Sequence, residues 1–252
     1  MLNRSLLIAA AVVALAACDK KDEATANVDV NAPLATAPVA APNNGDWTTI
    51  VTETPDGGFL MGNPAAKAKL VEFGSMTCPH CREFEEESNQ ALMAKYVKTG
   101  LASFEFRNFV RDPFDMTASI IARCGGKDSF FPLTHAMYED QVNWVTKIQN
   151  ADPAKLTQIQ SMPANAQFAE MAKITGLDAF AAQRGVPRGT IDQCLADQNA
   201  ATKLVGMNSD AANRYEINST PSFLLNGEVV ELDNSTTVWK QLEPKIRAAI
   251  GG

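Results

Sequence analysis

The chain has 252 residues, 46% of them hydrophobic, enough for the core of one large domain or two small ones. Its formal net charge is −7, and its 22 Lys and Arg form no cluster. That balance argues against nucleic acid as a partner.

The N-terminus reads as an address rather than as fold. Arg4 supplies a positive start, and residues 6–17 form an apolar run. The run is short of the about 20 residues a bilayer span needs, so residues 1–17 read as a signal peptide. It closes on Leu15-Ala16-Ala17-Cys18. This resembles a bacterial lipobox, where cleavage falls before the cysteine and the thiol then carries lipid. The alternative is a plain secretory signal with an incidental cysteine. Lipid on Cys18 implies stable attachment to a membrane, and Asp19 after it resembles an inner-membrane retention signal. Residues 19–46 are rich in Ala, Pro, Asn and charge without periodicity. With Cys18 they read as a disordered tether over 18–46, with structure beginning near Trp47.

Strand and helix signals then alternate. Residues 48–52 are largely β-branched, Asp56-Gly57-Gly58 marks a turn, and 59–62 reads as a short strand. Residues 69–74 predict a buried strand, 79–97 a helix and 102–110 a strand. Asp112-Pro113 opens a helical block, proline being tolerated in a first turn. Helical patterns cover 114–124, 130–144, 152–160, 166–175, 179–184 and 190–197, and a long helix over 200–215 leads back. Asn226-Gly227 between 222–225 and 228–231 predicts a hairpin. A last helix starts near 236, with Pro244 expected to kink or split it. The order predicts an α/β fold: a discontinuous sheet domain over 47–112 and 205–252, with an all-helical insertion over 113–204.

The chemistry centres on Cys78-Pro79-His80-Cys81, between an apolar strand and a helix. Thiols at i and i+3 share a helix face, at a separation that suits a disulfide. Unpaired N–H groups at the helix N-terminus favour a thiolate there, both nucleophile and leaving group. Of the five cysteines, Cys18 goes to lipid and this pair to chemistry, leaving Cys124 and Cys194. In an oxidising compartment they read as a structural bridge, the alternative being two isolated buried thiols. Closing that loop is worth about 4 kcal/mol in the chain-entropy model.

The residues around this pair resemble DsbA-type periplasmic thiol:disulfide oxidoreductases. The resemblance is carried by Val71 through Cys81, by Arg82-Glu83-Phe84-Glu85-Glu86, and by Ser219-Thr220-Pro221-Ser222-Phe223 before the hairpin. It covers the chain from about Trp47 onward. It implies a thioredoxin-like fold with an inserted helical domain and no cofactor. The expected activity is exchange of the Cys78–Cys81 disulfide with thiols of reduced exported proteins, by a monomer held at the inner membrane in the periplasm. A quinone-linked membrane oxidase of the DsbB type is the implied partner for re-oxidation.

Roles follow residue by residue. Cys78 is expected as the nucleophile and the more exposed sulfur, with Cys81 resolving from one turn inside. Pro79 fits the first helical turn. His80 is expected to place positive charge beside the thiolate, the alternative being an inert solvated ring. Glu72, a carboxylate in an apolar run, matches the buried acid of thioredoxin-like folds and would pass protons to Cys81; the alternative is a solvated edge residue. Glu85 reads equally as functional or as part of a solvated acidic face. The resemblance implies that Pro221 is cis, leaving the Thr220 backbone free to pair with an extended substrate. Met76 is a candidate for an apolar rim, and His135 reads as structural.

Rival readings stay within reach. Thr220 departs from oxidases that carry Val there, which leaves a reductase or isomerase open. A lipoprotein module binding Cu(I) or a client is the rival from another class. Zinc is disfavoured, because it needs four ligands, only His80 and His135 exist, and His80 lies between the thiols rather than at chelating spacing.

Overall fold

The computed structural model describes residues 30–42 and 45–251. The expected signal peptide and the lipidation site Cys18 lie outside them. Among the described residues no helix is long and apolar enough to cross a membrane.

The strands are β1 (Val51–Glu53), β2 (Phe59–Gly62), β3 (Ala68–Gly74), β4 (Ala102–Asn108), β5 (Ser222–Leu225) and β6 (Glu228–Val229). They form one sheet in the order β1-β2-β4-β3-β5-β6. Among the described residues only β3 and β4 pair in parallel; the other neighbours are antiparallel. The parallel pair is joined by α1 (Pro79–Ala91), which runs into a π-helical stretch (Leu92–Val97). This β-α-β unit and the β5-β6 hairpin with its terminal helix share one sheet, the arrangement the resemblance implied.

Both faces of the central strand are covered, so β3 reads as a continuous apolar run rather than an alternating one. Val71, Phe73 and Leu224 pack with Ala211 and Ile217 beneath α9 (Gln198–Tyr215). Leu70, Phe104, Phe106 and Phe223 join the main core with Phe84 of α1 and Leu242 and Ile246 of α10 (Val238–Ile250). Side chains alternate along a strand, so Glu72 shares the face of Leu70, the side covered by α1. In the hairpin, Asn226 (φ 54°) and Gly227 (φ 91°) are both left-handed, as a two-residue primed turn requires. Asn226 Oδ1 also accepts from the Lys69 amide at 2.9 Å, tying the hairpin to β3.

Between β4 and α9 stand α2 (Pro113–Cys124), α3 (Lys127–Glu139), α4 (Gln141–Gln149), α5 (Pro153–Gln160), α6 (Ala164–Thr175), α7 (Leu177–Gln183) and α8 (Arg188–Ala196). Asp112 caps α2 by accepting from the Phe114 and Asp115 amides at 2.8 and 2.9 Å. Cys124 and Cys194 form a disulfide linking α2 to α8, with Cα atoms 5.9 Å apart.

Three expectations fail. The helix predicted over 130–144 is two, because the backbone turns at Asp140 (φ −94°, ψ 6°). Burial continues across the break through Met137, Tyr138 and Trp144, so periodicity does not reveal it. Pro244 does not split α10, which continues across it. The lost hydrogen bond is offset there by burial of Trp239, Leu242, Ile246 and Ile250. Residues 30–42, expected as tether, lie against the domain. Val39 donates to Thr99 O at 2.8 Å, Thr36 Oγ1 to Ile250 O at 2.8 Å, and Arg247 Nη2 to Ala32 O at 2.6 Å. Trp47 Nε1 donates to Val39 O at 2.9 Å, and Leu34 packs on the core. A strap held mostly through its backbone needs no hydrophobic period.

Candidate active site

Cys78 is the N-cap of α1, in extended backbone, and Pro79 occupies the first turn. Its Sγ lies 3.3 Å from Thr220 O, to which the protonated thiol donates, across from the cis Thr220–Pro221 bond. Both active-site cysteines are free thiols here, the reduced form of the pair. The Cys78 thiol is lowered to about 5. The largest cause is donation from the Cys81 thiol, opposed by burial; Thr220 and the backbone N–H groups of Cys81 and His80 add to it. Thr220 Oγ1 is buried, with no other hydrogen-bond partner among the described residues.

Cys81 is fully buried. Burial first, then its donation to Cys78 and the charges of Glu72 and Cys78, push its thiol well above the ordinary range. The Ser75 amide donates to Cys81 Sγ at 3.5 Å. Glu72 is only 2% exposed, its register partners being Phe106 and Phe223. Among the described residues one of its oxygens, Oε1, has no hydrogen-bond partner. Burial chiefly, then the charges of Glu85 and Cys78, hold its carboxyl well above the usual range, against a hydrogen bond with Cys81. The site therefore contains one sulfur that ionises easily, one that does not, and a buried acid beside the second.

The loop into Cys78 is held from the insertion. Asp115, fully buried, accepts from the Met76 amide at 2.8 Å, the Ser75 hydroxyl at 2.5 Å and the Arg111 amide at 2.9 Å. Burial raises its carboxyl to about 6. Gln141 Nε2 donates to Met76 O at 2.8 Å and Cys78 O at 2.9 Å. Tyr138 donates to Ser75 O at 3.1 Å, and Thr77 Oγ1 to Asp112 Oδ2 at 3.1 Å. None of Asp115, Tyr138 or Gln141 was singled out by sequence. Asp115 carries the one usable signal, a carboxylate in the first turn of a helix that is otherwise buried almost throughout.

Two expected roles change. The His80 ring is 70% exposed and pairs with Glu83 Oε2 at 2.8 Å. What reaches Cys78 is the His80 backbone N–H, because the helix start aims it there. Met76 is fully buried rather than at a rim, since Asp115 and Gln141 hold its backbone inward. The expected contrast in exposure between the two cysteines is small, at 2% for Cys78 against 0% for Cys81. Glu85 leaves the acidic face: it is 15% exposed and receives His135 Nδ1 at 2.7 Å. Beside Cys78 a groove of about 640 Å³ runs past His80, Phe84, Thr220, Pro221, Leu232 and Val238. Among the described residues, no three His, Cys, Asp or Glu side chains group for a metal ion.

Comparison with known proteins bears on this arrangement. The profile of a family described as Thioredoxin matches residues 54–243. A solved structure named as protein-disulfide isomerase, from Novosphingobium aromaticivorans, is 37% identical. It covers 77% of this chain and 97% of that one, with a TM-score of 0.70. Wolbachia pipientis alpha-DsbA1 shares the fold at 20% identity and TM-score 0.58, over 78% of this chain and 94% of its own. A Rickettsia prowazekii protein, provisionally named a protein-disulfide oxidoreductase, is 26% identical over 81% of this chain and 68% of its own length. A Rickettsia felis relative is spanned over only 61% of its length.

Proposed function

We propose, for a chain that belongs to the thioredoxin family, a DsbA-type role as oxidant of exported protein thiols. A substrate thiolate attacks Cys78 Sγ of the oxidised pair. The Cys78–Cys81 bond breaks, and Cys81 leaves as a thiolate that takes a proton, with Glu72 as the adjacent donor. A second substrate thiolate then attacks the substrate sulfur of the mixed disulfide, and Cys78 leaves as a stabilised thiolate. Two electrons have passed from substrate to enzyme. The extended substrate lies along the Thr220 backbone and the neighbouring groove.

The observation that carries this reading is the asymmetry of the sulfurs, Cys78 at the N-cap with its thiol lowered to about 5 against a buried, raised Cys81. A stabilised Cys78 thiolate favours the reduced form, which makes the disulfide oxidising. The export signal and the Cys18 lipobox support a periplasmic protein anchored by lipid at the inner membrane. Re-oxidation then falls to a quinone-linked membrane partner of the DsbB type, with the enzyme acting as a monomer. Equilibration of the purified protein with glutathione buffers tests the assignment. An oxidase is mostly reduced at redox ratios that leave a reductase oxidised, and a strongly reducing poise rejects the assignment.

A further inference from the structure

Carboxylates that the exchange reaction does not use flank the site. The groove beside Cys78 carries Glu83, Glu87 and Asp233. A second groove, of about 700 Å³, carries Glu216, Glu228 and Glu231. Ser219, Pro221 and Leu232 line both, so the two meet as one trough at the loop with the cis bond. Arg214 is the one lysine or arginine among the described residues that lines either groove, and it is paired with Asp56 at 2.7 Å. The His80 ring is paired with Glu83.

Glutamates elsewhere in the described chain have partners. Glu53 pairs with Lys203, Glu86 with Arg82, Glu105 with Arg107, Glu170 with Lys155 and Glu243 with Lys95, while Glu85 and Glu139 meet His135 and Glu72 meets Cys81. The four described glutamates whose side chains have no partner are Glu87, Glu216, Glu228 and Glu231, and all four are exposed and line the trough. Acids that serve the fold are tied down here; these are left to face what enters.

We propose that the trough selects cysteines flanked by lysine or arginine, so that the preferred substrate is a reduced, basic segment of a protein. This rests on the oxidoreductase reading above and names the class of thiol it serves. Position makes the trough a substrate path: Thr220 and Pro221 line it, and Thr220 O lies 3.3 Å from Cys78 Sγ. Apolar contact comes from Phe84, Leu232 and Val238, and from the exposed Val229 in the second groove. Such contact accepts many unfolded segments, whereas the carboxylates discriminate by sign. A cleft lined by one sign of charge raises the encounter rate of the opposite charge by about 10- to 1000-fold, and like charge is repelled.

The test follows oxidation of two reduced peptides by the oxidised protein. Both carry two cysteines, flanked by lysine in one and by glutamate in the other. Each turnover closes two peptide thiols to one disulfide and opens the Cys78–Cys81 disulfide to two thiols. Rates are divided by those of the same peptides with hydroxyethyl disulfide, a neutral oxidant, which removes their difference in thiol acidity. At low ionic strength the lysine peptide is expected to react about tenfold faster or more, and the ratio to fall toward one in about 1 M NaCl. The pair Glu87→Gln and Glu231→Gln is expected to lower the ratio at least about twofold. The pair Asp128→Asn and Asp192→Asn removes the same charge from the insertion and is expected to preserve it. A ratio near one at low salt, or one that salt does not change, overturns the proposal and leaves the oxidoreductase reading standing. An equal fall in both double variants also overturns it, because net charge rather than the trough then sets the preference. A protein that oxidises neither peptide overturns the oxidoreductase reading and this inference with it.

Discussion

Gln141 donates to the backbone carbonyl of Cys78 at 2.9 Å, so a side chain of the helical insertion holds the residue that opens α1. The same nitrogen holds Met76 O at 2.8 Å, and both contacts are buried. The insertion is therefore part of the site rather than a lid beside it. Gln141→Leu leaves two carbonyls without that donor. The expected loss is about 1–3 kcal/mol, measured by urea unfolding of the reduced protein. Unchanged stability would mean that the loop holds itself.

Glu72 predicts a pH effect of definite sign. Its folded carboxyl is raised, so between the ordinary value of 4.5 and the raised one the folded state binds more protons than the unfolded state. Stability contributed by this group falls as pH rises across that window, by up to about 1.4 kcal/mol per pH unit. Cys78 acts in the opposite sense, because its folded thiol is lowered and its contribution is lost as pH falls through about 5. The comparison with Glu72→Leu separates them. The variant is expected to be the more stable, by a margin that grows with pH above 4.5. A constant margin in urea titrations at several pH values would contradict a buried, raised carboxyl.

The strap over 30–42 predicts a cost for shortening the chain. A protein beginning at Asp46 loses the contacts of Thr36, Val39 and Leu34. The expected destabilisation is about 1–3 kcal/mol, read as a lower Tm. An unchanged Tm would restore the strap to the status of tether.

The sheet and its hairpin were legible because β-branched and apolar runs, Asn226-Gly227 and Asp112-Pro113 each act locally. Glu72 was legible because a carboxylate in an apolar strand has few places to go. The fates of His80 and Met76 were not. Whether a ring turns toward a sulfur or toward Glu83 depends on helix geometry, and Met76 is drawn inward by Asp115 and Gln141, far along the chain. The same distance hid Gln141 and the His135–Glu85 pair, since nothing local marks a residue whose partner arrives from another element. The strap was missed because backbone groups and two isolated side chains, Thr36 and Leu34, hold it down without a periodic pattern.

The central claim is that Cys78 is held as an anion at the mouth of α1, and its alkylation rate by iodoacetamide as a function of pH tests it most directly. The reduced protein should lose reactivity with a midpoint near pH 5, where the thiol takes up its proton. A midpoint at about 8.5, that of an ordinary free thiol, would contradict the account.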